Sequence, residues 1–376
     1  SHPNLHLVGR ADARAQMATP ALIVELSALE ANIAAMAKFA ATHGVQVRPH
    51  AKTHKSAQIA RRQMAAGATG ICVAKLGEAE ALTAAGIVNI LITSPVVTAN
   101  ALSRLSRLNA EADGLTVTVD HPDAIAGLDD AARMSGKPLK VLVDLNIGLC
   151  RTGIAPGDAA LALGRKVVGS THLQLQGLQA YGGQLQHIED YADRRAKALT
   201  ALEPVAATRD LFLKSGLPCA VISGSGTGTF QIDVAARVFT ELQVGSYVFM
   251  DREYNDVKGE RGGLGFQTSL FVETSVISIN TAGIATTDAG LKSFATEAGP
   301  PPIYSGAPEG AKYFFFGDEQ GGLAFAAGSN GLPLGARLRC VTPHCDPTVN
   351  LYDFYHVMDG DRLVALWPIE GRGRAY

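Results

Sequence analysis

Eight times between residues 45 and 249 a short β-branched or apolar run is followed by an Ala-rich stretch of helical period. The runs are VQVRPH (45–50), GICVAK (70–75), ILITS (90–94), LTVTVD (115–120), LKVLVDLN (139–146), LQLQGLQAY (173–181), AVISG (220–224) and ELQVGSYVF (241–249). Between them lie SAQIARRQMAAG, LGEAEALTAAG and HPDAIAGLDDAARMSG, several ending at the Gly expected past a helix C-terminus. Eight strand–helix units in about 220 residues match a (β/α)₈ barrel of the TIM type. An open, doubly wound sheet is the rival, because strand order is not written in one sequence. The placement of reactive side chains favours the barrel: Lys52, Ser94, Asp120, Asn146, Arg151, Tyr181, His187, Ser223 and Gly245 all fall at or just after the C-terminal ends of different strands. Barrel enzymes assemble their sites on that face, whereas an open sheet gathers them near one switch point.

After about residue 255 the pattern changes. LGFQTSLFVETSVISI, AGIATTDAG, KYFFFGDEQGGLAFAAG, ARLRCVTPHCDPTV and RLVALWPI alternate like strands with turn residues between them. The expected organisation is an α/β barrel over residues 27–255 and an all-β domain from residues 1–26 and 256–376, with TPALIVEL (19–26) adding a strand to the second. The chain has 376 residues, 47% of them hydrophobic, enough for two cores. A net charge of −2 gives no reason to expect nucleic acid or an anionic membrane as partner. No apolar run approaches the roughly 20 residues that span a bilayer. The N-terminal segment has no signal-peptide pattern, and a start without Met fits a processed N-terminus. Five cysteines, Cys72, Cys150, Cys219, Cys340 and Cys345, lack disulfide-framework spacing and fit the reducing cytoplasm.

RPHAKTHKS (48–56) crowds five basic side chains at the end of the first barrel strand. A lysine partly desolvated beside other cations loses some basicity and becomes a usable amine. Lys52, just past the strand, is therefore a candidate to hold an aldehyde cofactor as a Schiff base, with pyridoxal 5′-phosphate (PLP) the common case. Lys55 is the competitor, expected to start the next helix; a solvated basic turn is the alternative to both. SGSGTGTF (223–230) suits a phosphate: Gly226 and Gly228 allow close backbone approach and Thr227 offers a hydroxyl, although an ordinary tight turn has the same composition. VGSY (244–247) adds possible N–H donors at Gly245 and Ser246, and phosphate sites between the seventh and eighth strands recur in this fold. HCDPT (344–348), read as a strand, puts His344 and Asp346 on one face and Cys345 on the other. An imidazole and a carboxylate can hold a divalent ion with positions left open, oxygen-rich coordination leaning toward Mn²⁺ or Mg²⁺ over Zn²⁺.

Taken together, RPHAKTHK, GICVAKLGEAEAL, CRTGI, LQAYGGQLQH, SGSGTGTF with ELQVGSYVFMD, and PHCDPTVNLYD resemble the fold-type III (alanine racemase-like) PLP enzymes, specifically the D-threonine aldolase and D-serine dehydratase family. The resemblance implies that Lys52 is the cofactor lysine, that His344 and Asp346 bind a divalent metal, and that the enzyme is a homodimer with sites at the interface. Carried over by motif, Arg151 contacts the phenolic oxygen of PLP, Tyr181 lines the pocket, and Gly226, Thr227, Gly245 and Ser246 hold the phosphate. Gln243 stands where alanine racemases carry an arginine facing the pyridine nitrogen; a neutral amide there is expected to leave that nitrogen largely unprotonated, unless Gln243 is only satisfied inside the barrel. Dehydratases of the family show His-x-Cys, a soft zinc site, whereas position 346 here is Asp, the aldolase form.

The resulting expectation is retro-aldol cleavage of small D-β-hydroxy-α-amino acids, D-threonine giving glycine and acetaldehyde. His187 is the candidate base for the hydroxyl proton, a structural histidine at the rim being the alternative. Asp318 is a candidate to position the metal's waters. 3-Hydroxy-D-aspartate, giving glycine and glyoxylate, is the near alternative substrate; its extra carboxylate would want a cation, with Lys75, Arg252 and Lys292 available. Rival activities are D-serine or D-3-hydroxyaspartate dehydration, racemisation (disfavoured by the lysine segment), a sugar-phosphate barrel enzyme, and a non-catalytic PLP carrier, which residues 260–376 argue against.

Overall fold

The structure is a computed structural model and describes residues 2–376. It divides into two compact units, one of residues 34–245, 257–264 and 373–376, the other of residues 2–33, 246–256 and 265–372. The first strand, β1 (Ala21–Glu25), belongs to the second unit. The next eight build the first: β2 (Gln46–Val47), β3 (Ile71–Val73), β4 (Ile90–Ile92), β5 (Thr116–Val119), β6 (Leu139–Leu145), β7 (Leu173–Ala180), β8 (Val221–Gly224) and β9 (Glu241–Leu242).

These eight strands run parallel in the order β2-β9-β8-β7-β6-β5-β4-β3. The two ends of that order meet: His50, just past β2, bridges in parallel to Cys72 of β3. Cys72 N–H donates to Pro49 O at 2.8 Å and Ala51 N–H to Cys72 O at 2.7 Å. The sheet therefore closes into a barrel, and β3, β4 and β5 are buried along their whole length, as strands covered on both faces must be. Leu91, Leu142 and Cys72 pack together in its interior. Gly177 in β7 marks a register shift against β6. With φ +146° it brings the chain so near β8 that a Cβ would lie 1.9 Å from Val221 O, a place only glycine fits.

The crossover helices begin and end as the sequence indicates. Ser56 caps the helix Ala57–Ala65, accepting Gln58 N–H at 3.3 Å, and Thr98 caps Ala99–Glu111, accepting Ala101 N–H at 3.3 Å. Gly136 ends Ala124–Ser135 in the left-handed region.

In the second unit β10 (Leu270–Thr281), β11 (Ile284–Thr287), β12 (Ile303–Ser305), β13 (Lys312–Phe315), β14 (Gly321–Ala324), β15 (Arg337–Val341), β16 (Phe354–Asp359) and β17 (Arg362–Pro368) join β1 in a nine-stranded sheet. Its main path is β13-β14-β11-β10-β1-β16-β17, antiparallel except for β1 beside β16. Leu7, Met17, Ile23, Phe271, Met358 and Leu363 form one of its cores. Among the described residues no helix is long and apolar enough to cross a membrane.

Candidate active site

The basic run at the end of β2 sorts itself by partner. Arg48 pairs with Glu241 at 3.0 Å and donates to Asn89 O at 2.7 Å. His50 Nε2 lies 3.0 Å from Thr93 Oγ1, which itself donates to Val73 O at 3.1 Å, so the imidazole is the donor there. Its other nitrogen accepts the backbone N–H of Lys52 at 3.3 Å, fixing the turn that carries this lysine. His54 accepts Ser56 N–H at 3.1 Å and contacts Gln63 Oε1 at 3.2 Å. Lys55 does not start a helix: it sits at φ +51°, buried, its Nζ 2.5 Å from Glu78 Oε1. Glu78 also accepts Ala74 N–H at 2.7 Å and Lys75 N–H at 3.2 Å, tying the pair to the next helix. Lys52 is half-buried in the 51–54 turn.

Two further loops leave the same barrel face. The loop after β6 is pinned by Asn146, whose Oδ1 accepts Gly148 and Cys150 N–H at 3.0 and 3.1 Å, and by Asp120, which accepts Gly153 N–H at 3.0 Å. The exposed Arg151 is thereby held with its guanidinium 5.6 Å from the ring centre of the half-buried Tyr181. His187 is exposed in the turn after the short 3₁₀ helix Gly183–Leu185. Its neighbour Gln186, which sequence patterns did not single out, turns inward. Gln186 Oε1 accepts Gly228 N–H at 3.0 Å and its amide donates to Gly182 O and Thr229 Oγ1, both at 3.1 Å.

That contact redefines the glycine loop. Gly228 N–H is already used, and a Cβ on Gly228 would lie 2.0 Å from Gln186 O, so this glycine shapes the loop and is not a phosphate donor. Thr229 donates to Asp233 at 2.5 Å, whose carboxyl burial pushes up to about 6. The N–H groups of Gly226 and Gly245 make no hydrogen bond among the described residues. Thr53 Oγ1, also without a hydrogen-bond partner among them, is buried where a Cβ on Gly245 would meet it at 2.8 Å. The unused N–H of Gly245 beside the orphaned Thr53 hydroxyl, one residue from Lys52, offers donors of the kind an anion such as a phosphate ester requires. Ser246, next in the chain, is buried and opens the 3₁₀ turn Ser246–Val248. Gln243 is buried and bonded to Gln179 and Ser223 side chains at 3.1 and 3.0 Å.

HCDPT is not a strand. His344 is extended (φ −142°, ψ 125°) and caps a helix, Cys345–Val349, so Asp346 stands in a first helical turn. Asp-Pro at that point was the available signal, since proline is tolerated in a first turn. Cys345 is fully buried, its N–H donating to Asp251 Oδ2 at 2.8 Å, and burial pushes its thiol well up. His344 Nδ1 lies 2.6 Å from Glu297 Oε1, and Nε2 makes no hydrogen bond among the described residues. A carboxylate on one ring nitrogen leaves the other as a lone-pair ligand, the usual arrangement behind a metal-bound histidine. No three His, Cys, Asp or Glu side chains among the described residues converge as a metal site. Asp318 is exposed in the turn after β13, and the neighbouring Lys292 is paired with Glu319.

Comparison with known proteins agrees with this architecture. Residues 24–253 match the alanine racemase N-terminal domain family and residues 269–358 the serine dehydratase domain family. The chain is 39% identical to a D-threonine aldolase of Arthrobacter sp over 362 residues, 96% of this chain and 94% of that protein. It is 35% identical to a 3-hydroxy-D-aspartate aldolase of Paracoccus denitrificans over 366 residues, with the same coverage. The crystal structure of D-threonine aldolase from Filomicrobium marinum superposes with a TM-score of 0.92 at 38% identity, covering 96% of this chain and 97% of that one. This chain belongs to the family of D-threonine and 3-hydroxy-D-aspartate aldolases, aldehyde-lyases built on the alanine racemase fold.

Proposed function

We propose that this protein cleaves D-β-hydroxy-α-amino acids between Cα and Cβ, with D-threonine, giving glycine and acetaldehyde, as its first substrate. The observation that carries the reading is the His344–Glu297 contact at 2.6 Å, which leaves a ligand nitrogen two residues from the Asp346 carboxylate. Thiolate at position 346 would suit zinc and dehydration; a carboxylate suits a harder ion, Mn²⁺ or Mg²⁺. Such an ion supplies Lewis acidity toward a substrate hydroxyl. PLP supplies the electron sink for the bond that breaks.

The chain's own residues do the rest. Lys52 holds the cofactor through its amine, on a turn oriented by His50. Gly226, Thr227, Gly245 and Ser246 hold the phosphate, with Thr53 supporting the loop, and Gly228 keeps its shape. Arg151 and Tyr181 flank the ring. His187 takes the hydroxyl proton, and its exposed turn gives it the freedom to exchange that proton with water. Lys292, one of three candidate cations for a second substrate carboxylate, is paired with Glu319, which supports taking D-threonine first and keeps 3-hydroxy-D-aspartate as the alternative. A homodimer in the cytoplasm completes the reading; five free cysteines fit that compartment.

The test is chemical. Borohydride reduction of the holoenzyme followed by peptide mass spectrometry is expected to leave a reduced pyridoxyl group on Lys52. A label on Lys55, or none, would sink the assignment.

A further inference from the structure

Inside the C-terminal mouth of the barrel, side chains of neighbouring strands form a relay whose two ends are both fixed. Gln179 of β7 reaches the backbone oxygen of Thr93 at 3.1 Å and Asp144 Oδ1 at 3.0 Å with the same end of its amide. A backbone carbonyl only accepts, so that end is the NH₂. Gln179 Oε1 therefore faces Gln243, and the atom 3.1 Å away has to be a donor, Gln243 Nε2.

The other end gives the same answer independently. Glu241, paired with Arg48, takes the hydroxyl proton of Ser223 at 2.6 Å. Ser223 Oγ has only lone pairs left to offer, and Gln243 Nε2 donates to it at 3.0 Å. Both amide protons of Gln243 are thus engaged. Turning the amide over would set its oxygen against Gln179 Oε1 and against a hydroxyl whose proton is already placed. Gln243 Oε1 has no hydrogen bond among the described residues, yet it is not one of the sealed, unpartnered polar atoms. It is left as an acceptor at the end of β9.

We propose that Gln243 offers the cofactor ring a carbonyl oxygen and not an N–H, and that bound PLP is held with its pyridine nitrogen protonated. This rests on the reading above, PLP on Lys52, and on the resemblance by which position 243 faces the pyridine nitrogen. Two lone pairs facing each other repel, whereas a ring N–H donates to the amide oxygen; hydrogen bonding to one protonation state favours that state. The expectation that a neutral amide leaves the nitrogen unprotonated is reversed, because the orientation of the amide decides and not its charge. A protonated ring is the stronger electron sink, which suits cleavage of a carbon–carbon bond. Gln179 and Ser223 are positioning residues that act through Gln243.

The experiment is ¹⁵N NMR of the holoenzyme loaded with PLP labelled at the pyridine nitrogen, at pH 7.5 (a chosen condition), beside the borohydride map of the same sample. Wild type is expected in the pyridinium region. The Q179L/S223A variant, whose amide is no longer held, is expected to shift toward neutral pyridine, while Gln243→Glu stays protonated. A neutral-pyridine resonance in wild type with Lys52 labelled would overturn the inference and leave the reading intact; a pyridinium signal unmoved in Q179L/S223A would overturn the relay. If the double variant does not fold, S223A alone is read in the same way. No label on Lys52 would overturn the reading and the inference together.

Discussion

Lys52 is half-buried in the turn leaving β2, whereas Lys55 has its ammonium buried 2.5 Å from Glu78. Breaking a buried pair by removing one partner costs about 3–5 kcal/mol, because the other charge stays behind. Lys55→Met is expected to lower the denaturation midpoint sharply while the folded fraction keeps a cofactor-labelled Lys52. Lys52→Met is expected to abolish the label in the folded protein. Chemical denaturation and peptide mapping of both variants check this; matching behaviour would refute the division of roles. His344 makes a second residue-scale case. Loss of an outer carboxylate behind a metal-bound histidine typically lowers metal affinity about 10–100-fold. Glu297→Gln should show that drop for Mn²⁺ by calorimetry, and an unchanged affinity would detach Glu297 from the metal. As candidates, Lys52 and the His344–Asp346 pair stand out in sequence because each sits in a short motif. Glu297 and Gln186 do not, since each meets its partner from a segment some 40–50 residues distant and nothing local marks the encounter.

Among the elements, the loop between β8 and the helix Phe230–Ala236 has the most specific internal support. Gln186 clamps Gly228, and Thr229 is bonded to the fully buried Asp233. Burial raises that carboxyl from 3.8 to about 6, so the folded protein holds its proton where the unfolded chain has released it. A raised folded-state value means stability that is fully present below pH 3.8 and lost as pH rises through about 6. The stability lost across that window is on the order of 3 kcal/mol. Asp233→Asn removes the titration and is expected to flatten the fall of the melting temperature there, while the wild type loses stability; parallel curves would assign the slope to other groups, Asp144 first. Strand positions in the barrel were readable because burial on both faces writes β-branched runs. The HCDPT segment misled because alternating polar and apolar residues also describe an extended cap followed by one helical turn.

For the whole molecule, periodicity carried further than any motif. Eight parallel strands closed through the His50–Cys72 bridge make one unit, and a nine-stranded, mainly antiparallel sheet the other. The change of pattern after residue 255 announces the second sheet, and β1, from the N-terminal segment, joins it between β10 and β16. No local pattern shows that residues 373–376 return to the barrel unit, where Tyr376 O accepts Gly77 N–H at 2.8 Å. Such long-range docking depends on shape, which a single sequence does not display.

The most direct test of the central claim is product analysis with D-threonine, D-serine and 3-hydroxy-D-aspartate, each after EDTA treatment and again with Mn²⁺ restored. Glycine with an aldehyde product, lost with EDTA and recovered with Mn²⁺, is the result expected of Lys52, His344 and Asp346 acting as assigned. Ammonia with pyruvate or oxaloacetate, and no glycine, would contradict it and make this chain a dehydratase despite its carboxylate at position 346.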